Sequence, residues 1–295
     1  MSNKFSGKTA IISGGAGGIG FALAEEFGQL GMNIVIADID QKQLAIAEQQ
    51  LKKANIQVLA CSLDVTNFQQ WQDTLVAAEQ KFGDIHMLVN NAGVGGVPGS
   101  IEETKLDTWK WVLDVNVMGV VNGTQAVGPA IKKHGQGGWI INVASMAGMN
   151  GVAYAGAYAA SKAAVVSMSE SWAGELKKHN IAVSALCPAF VKTRIHESLR
   201  NLQPEYQNVK SQGATKVKSK EGINHAAALV EAGIPAAVLS KRVVEALESG
   251  QSYIFTHPNY RQGVGYRAHL LDQAFADAEQ SPIVGHLKDQ PIDIF

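Results

Sequence analysis

A chain of 295 residues, 46% hydrophobic and 17% charged, carries enough apolar material for one large α/β unit and is somewhat poor in charge for a monomer's surface. Its net charge of −1, with no lysine- or arginine-rich run, lacks the electrostatic footprint of a nucleic-acid binder. Cys61 and Cys187 show no metal-ligand spacing and make no disulfide framework; with no apolar run of about 18 residues and no apolar leader at the start, a soluble cytoplasmic protein without a membrane span is expected.

In chain order, Thr9–Ser13 reads as a first buried strand, followed by a glycine-rich turn and a helix from Ile19 to Leu30 that stops at Gly31. Asn33–Ala37 is a second strand, with a helix over 41–54 behind it. Gln57–Cys61 and a helix over 68–82 come next, then the strand Met87–Asn90 and a long helix over 106–134. Trp139–Val143, a helix over 158–179 and Ala182–Cys187 continue the alternation, and Tyr253–Phe255 supplies a final strand. Apolar strands without strict polar alternation suit a parallel sheet covered on both faces. The expected fold is a single-domain, doubly wound parallel sheet of about seven strands, Rossmann-type, with helices on both faces. No internal repeat or linker divides it, so 1–256 is read as one domain and 257–295 as a C-terminal extension, packed on the domain or on a neighbouring subunit.

The turn after the first strand, Ser13-Gly14-Gly15-Ala16-Gly17-Gly18-Ile19-Gly20, opens the first helix. Glycines there let backbone amides approach a pyrophosphate, and the helix dipole favours its charge. Asp38, eighteen residues after Gly20, closes the second strand, where a carboxylate accepts from adenosine ribose hydroxyls and repels a 2′-phosphate. Ile39 and Gly17 stand where a cation for NADP could be, which favours NAD; Lys42 lies near enough to leave NADP open. Asp40 reads as a helix N-cap.

Tyr158 and Lys162, four residues apart, share one helix face. A cation beside a phenol favours the phenolate, so this tyrosine is expected to exchange protons near neutral pH. Tyr154 is a rival phenol, eight residues before Lys162 across a glycine-containing segment.

Taken together, these residues resemble the short-chain dehydrogenase/reductase family of the NAD-dependent, Tyr-x-x-x-Lys type. Gly14-x-x-x-Gly18-x-Gly20 is similar to that family's cofactor turn, and Asp64-Val65 to its adenine-contacting pair. Asn90-Asn91-Ala92-Gly93 resembles its fourth-strand signature, Asn116 its helix asparagine, and Ser145 stands thirteen residues before Tyr158 as in the family. Pro188-Ala189-Phe190-Val191-Lys192-Thr193 resembles the segment over the nicotinamide, with Ala189 in place of the usual glycine.

The resemblance implies hydride transfer between a secondary alcohol or ketone and nicotinamide. Tyr158 would be the acid/base, Ser145 would bind the substrate oxygen, and Lys162 would favour the phenolate and hold the nicotinamide ribose. Asn116 would hold a water linking Lys162 to solvent, and Thr193 would meet the carboxamide. Gly14, Gly18, Ile19, Gly20, Asp38, Asp64, Val65, Asn91, Ala92, Gly93, Pro188 and Val191 would complete the NAD site. A homotetramer or dimer is also implied. Two alternatives stay open: a reductase of ketones or acyl thioesters, and a non-catalytic NAD-binding regulator on the same fold.

The stretch from Phe190 to about Pro235 breaks the alternation and reads as a substrate loop. Val94, Val97, Met146, Val152 and Phe190 suggest apolar walls of a pocket for a small alcohol or ketone, and core packing explains any one of them equally well. The histidines are dispersed, and no metal site is expected.

Overall fold

The computed structural model describes residues 4–209 and 228–291. Seven parallel strands form one sheet in the order β3-β2-β1-β4-β5-β6-β7. They are β1 (Thr9–Ser13), β2 (Asn33–Asp38), β3 (Val58–Ser62), β4 (Met87–Asn90), β5 (Gly138–Val143), β6 (Ile181–Cys187) and β7 (Tyr253–Phe255). Each predicted strand is present within one residue at either end.

The helices are α1 (Gly18–Gln29), α2 (Gln41–Lys53), α3 (Phe68–Phe82), α4 (Leu106–Leu113), α5 (Gly119–Lys133), α6 (Met146–Met149), α7 (Gly156–Leu176), α8 (Ala236–Glu248) and α9 (Arg261–Glu279). Asp40 caps α2 as expected, accepting from the Gln43 amide at 3.1 Å. The single long helix expected over 106–134 is interrupted by a π-helical turn at Asp114–Met118. π-turns inside helices are frequent at functional sites, and this one carries Asn116.

Two apolar layers cover the sheet. One, including Phe27, Ile36, Leu51, Leu239 and Val243, brings in α1, α2 and α8. The other, including Trp71, Ile85, Trp111, Val127 and Ile140, brings in α3, α4 and α5. The sequence reading passed over α8. Its apolar residues Leu239, Val243, Ala246 and Leu247 recur at helical spacing between Pro235 and Gly250, and that signal could have found it. The order of the strands reverses between β1 and β4, so their C-terminal ends part there and leave a crevice.

The chain divides into two compact units, 1–256 and 257–295. The second holds α9 and short 3₁₀ turns at Pro258–Tyr260 and Gly285–Leu287. No residue of α9 is buried, and Tyr266, Leu270, Leu271 and Phe275 are exposed. Among the described residues, no helix is long and apolar enough to cross a membrane.

Candidate active site

The crevice beyond β1 and β4 holds a cavity of about 500 Å³. Its floor is the turn from β1 into α1. Gly14 has φ +63°, and Asn91 Nδ2 donates to Ser13 O (2.9 Å) and Gly14 O (3.0 Å). Ser13 Oγ accepts from the amides of Asn91 (3.0 Å) and Ala92 (3.1 Å), so β4's end locks β1's turn. Gly20 lies buried under this turn rather than on the cavity wall. A Cβ there would stand 2.2 Å from Gly14 O and 2.5 Å from Asn91 Nδ2. Asn90 Nδ2 donates to Asn142 Oδ1 (2.8 Å) and Thr124 Oγ1 (3.1 Å), tying β4 to β5 and α5.

At one end of the cavity, Asp38 accepts from the amides of Ala16 (3.1 Å) and Asp40 (3.0 Å). Burial pushes its carboxyl above the ordinary value, against these two bonds. Asp64 and Val65 line the same end. Asp64 Oδ1 accepts from the Thr66 amide (3.0 Å) and hydroxyl (2.8 Å).

At the other end, Ser145, Tyr158 and Lys162 come together with Gly93, Pro188, Val191 and Thr193. Ser145 is the N-cap of α6, its Oγ accepting from the Ala147 amide at 3.1 Å and donating to Pro188 O at 3.4 Å. The Tyr158 phenol lies close enough for Ser145 to act on its proton affinity. Lys162 is 4% exposed; Nζ donates to Val143 O at 2.8 Å and lies 5.7 Å from the Tyr158 ring centroid. Burial pulls its ammonium down to about 8. The neighbouring Cys187 thiol is pushed up to about 12 by burial and so stays neutral.

Tyr158 corrects one expectation. Its phenol lies above the usual value, because burial outweighs the opposing influence of Ser145, and Lys162 does not reverse this in the protein alone. The ammonium donates one of its hydrogens to a strand carbonyl, Val143 O. Tyr154, the rival phenol, is 70% exposed with φ +62° and is absent from this cavity.

Asn116 is fully buried behind the wall. Its Oδ1 accepts from the Val94 amide (2.8 Å), and Nδ2 donates to Val94 O (2.9 Å) and Ser161 Oγ (3.0 Å). Gly93 brings it close to the lysine: a Cβ there would sit 3.2 Å from Asn116 Oδ1 and 3.4 Å from Lys162 Nζ.

A second cavity of about 360 Å³ opens on the other side of Tyr158, between residues 95–104 and 152–158. Val97, Ile101, Trp109, Val152 and Tyr154 give it an apolar, aromatic lining. Val97 and Val152 are thus placed as expected. Val94 lines the first cavity, and Met146 and Phe190 line neither. The excursion after Phe190 returns to its own base, where Val191 pairs with Ile234 and Ile234 N donates to Phe190 O at 3.1 Å. Its stretch 210–227 lies outside the described residues. The sequence reading missed several lining residues from this excursion, among them Arg194, Arg200 and Gln203. No motif marks them. Among the described residues, no group of three or more His, Cys, Asp or Glu could hold a metal.

A family model for short chain dehydrogenase matches residues 8–204. A C alpha-dehydrogenase of Sphingobium sp. is 32% identical over 279 residues, covering 94% of this chain and 90% of the relative. A CLA biosynthesis dehydrogenase/reductase of Lactiplantibacillus plantarum is 32% identical over 258 residues, covering 87% of this chain and 90% of the relative. The crystal structure of a short chain dehydrogenase/reductase from Burkholderia phymatum in complex with NAD superposes with a TM-score of 0.87 at 34% identity, covering 92% of this chain and 96% of that one. The chain belongs to the short-chain dehydrogenase family and is an oxidoreductase that interconverts alcohols and ketones.

Proposed function

We propose that this protein is an NAD-dependent dehydrogenase of hydrophobic secondary alcohols, with Tyr158 as its acid/base. The observation that carries this reading is the meeting of Ser145, Tyr158 and Lys162 at one end of a cleft whose other end presents Asp38. The residues fit a dinucleotide. The floor is glycine backbone at a helix N-terminus, as a pyrophosphate requires, and Asp38 offers a carboxylate to ribose hydroxyls while repelling a 2′-phosphate. The NAD complex of the Burkholderia relative supports the same choice.

When bound, the nicotinamide supplies the site that accepts or donates hydride. Ser145 Oγ holds the substrate oxygen beside the phenol, and Tyr158 Oη takes the hydroxyl proton in oxidation or returns it in reduction. Lys162 places a positive charge near the phenolate and the nicotinamide ribose. Asn116 fixes the Val94 backbone and, through a water, links Lys162 to solvent. Gly93, Pro188, Val191 and Thr193 close the nicotinamide end, with Thr193 on the carboxamide. Ile19, Asn91, Ala92, Asp64 and Val65 enclose the rest of the cofactor.

The second cavity supports a hydrophobic substrate: it shares Tyr158 with the cofactor cleft and has aromatic and aliphatic walls. The relatives' names, among them a trans-4-hydroxycyclohexanecarboxylate dehydrogenase of Sinomonas cyclohexanicum, point to ring-bearing alcohols. We place the enzyme in the cytoplasm as a homotetramer or dimer. Residues 257–295 form a C-terminal extension that carries the exposed helix α9.

A panel of aromatic and alicyclic secondary alcohols, each with NAD and with NADP and followed by nicotinamide absorbance, tests the reading. NAD reduction with at least one ring-bearing alcohol is expected. Reduction of NADP in preference to NAD contradicts the role given to Asp38. Silence across the panel with NADH oxidation by ketones alone favours the reductive alternative.

A further inference from the structure

The excursion after Thr193 crosses to the adenosine end of the cleft, far from the part of the cofactor that reacts. Three anchors hold it. Ser198 Oγ accepts from the Gly95 amide at 3.0 Å and donates to Ile195 O. Gln203, 5% exposed, accepts from Trp111 Nε1 at 2.9 Å and donates to Asp64 Oδ1 at 3.2 Å. Tyr206 donates to Asp114 Oδ2 at 2.5 Å. The strap 194–206 is therefore bolted to the same Asp64 that lines the cofactor cavity.

Arg200 sits between these anchors, on the wall of the cavity that also holds Asp38 and Asp40. The cleft has an uneven charge distribution. Asp38, Asp40, Asp64 and Glu231 line it, with Lys192 and Arg194 on either side of Thr193, and its glycine turn and β2 end bring no cation. A dinucleotide adds two phosphate charges to that set. Lys162 is committed to the far end, bonded to Val143 O. Arg200 is within electrostatic reach of both Asp38 and Asp40. Among the described residues its guanidinium makes one hydrogen bond, from one arm of the fork to Arg194 O at 2.8 Å; the preceding Thr193 side chain stands against Gly18 of the glycine turn, and most of the planar fork stays available.

We propose that Arg200 is a cofactor-binding residue, donating from the strap to the diphosphate of the dinucleotide and supplying the cation that the glycine turn lacks. This rests on the NAD reading above. It gives the strap a role at the cofactor in addition to any role at the substrate.

Arg200→Gln, Arg200→Lys and the unaltered protein are to be titrated with NADH by fluorescence, then with ADP and with adenosine by competition. The loss of one charge-assisted hydrogen bond predicts about tenfold weaker binding of NADH and of ADP in Arg200→Gln. Adenosine affinity is expected to stay unchanged, and Arg200→Lys is expected to recover part of the loss because it keeps the charge and loses the fork. Arg200 is exposed, so both variants are expected to fold, checked by equal melting temperatures. Equal NADH and ADP binding in Arg200→Gln and the unaltered protein overturns the role of Arg200 and leaves the NAD reading standing. A parallel loss of adenosine binding also overturns it, since the effect then runs through the shape of the cleft. If the unaltered protein binds neither NADH nor ADP, both readings fall.

Discussion

The floor of the cofactor cleft and the wall of the second cavity are built by different means. The floor is made of strand ends and one turn, pinned by Ser13, Asn91 and Asp38 through hydrogen bonds of 2.9–3.1 Å. The wall is a glycine-rich loop, 95–99, facing residues 152–158, and it includes the exposed side chains Ile101, Val152 and Tyr154. Backbone geometry makes the floor, so few residues can serve there. Side-chain shape makes the wall, so many can. Chemistry common to a family belongs on the first kind of surface, and substrate choice on the second.

Substitutions can break this contrast, beginning with the floor. Gly20→Val puts a branched side chain where a single Cβ already meets Gly14 O at 2.2 Å. Overpacking against backbone predicts a stability loss of about 3 kcal/mol and loss of NADH binding, read by denaturant melts and fluorescence titration.

The buried Lys162 tests the floor electrostatically. Its folded-state value is about 8 against an ordinary 10.5, so the native state gives up this proton before the unfolded chain does. Holding the charge therefore costs stability below pH 8, and the cost is relieved as pH rises from about 8 toward 10.5. Lys162→Met is expected to gain stability over the unaltered protein at pH 7, by up to about 3 kcal/mol less the bond to Val143. That gain should shrink by pH 10, measured by paired melts across the range. A difference that does not change with pH would refute the assignment.

Asp38→Asn removes the ribose acceptor's charge. About tenfold weaker NADH binding and a narrowed preference over NADPH are expected from direct titration of both cofactors. On the wall, Tyr154→Phe should change stability by less than about 0.5 kcal/mol and leave turnover within twofold, roughly the noise of a surface change. A large loss of turnover would make Tyr154 a rival proton donor after all.

The same contrast explains what could be read in the sequence. The strands were legible because each is a short apolar run, and the floor because Gly14, Gly18, Gly20 and Asp38 sit at fixed offsets from strand ends. Ser145, Tyr158 and Lys162 were legible because helix periodicity and one loop length set their spacing. The π-turn at Asp114–Met118 was not, since its sequence reads as ordinary helix and only packing around Asn116 reveals the bulge. The Gln203–Asp64 bond was not legible either, because 139 residues separate its partners and nothing local marks Gln203 as buried. The pKa direction of Tyr158 was misread for a related reason. Spacing shows that a lysine is near, but not that burial of the phenol dominates or that Val143 O takes the ammonium's hydrogen bond.

The account centres on Tyr158 as the group that moves the proton. Tyr158→Phe, assayed for alcohol-dependent NAD reduction alongside NADH titration, tests this most directly. The prediction is unchanged NADH affinity with turnover lower by about 10²–10⁴-fold. Turnover within a few-fold of the unaltered protein would contradict it.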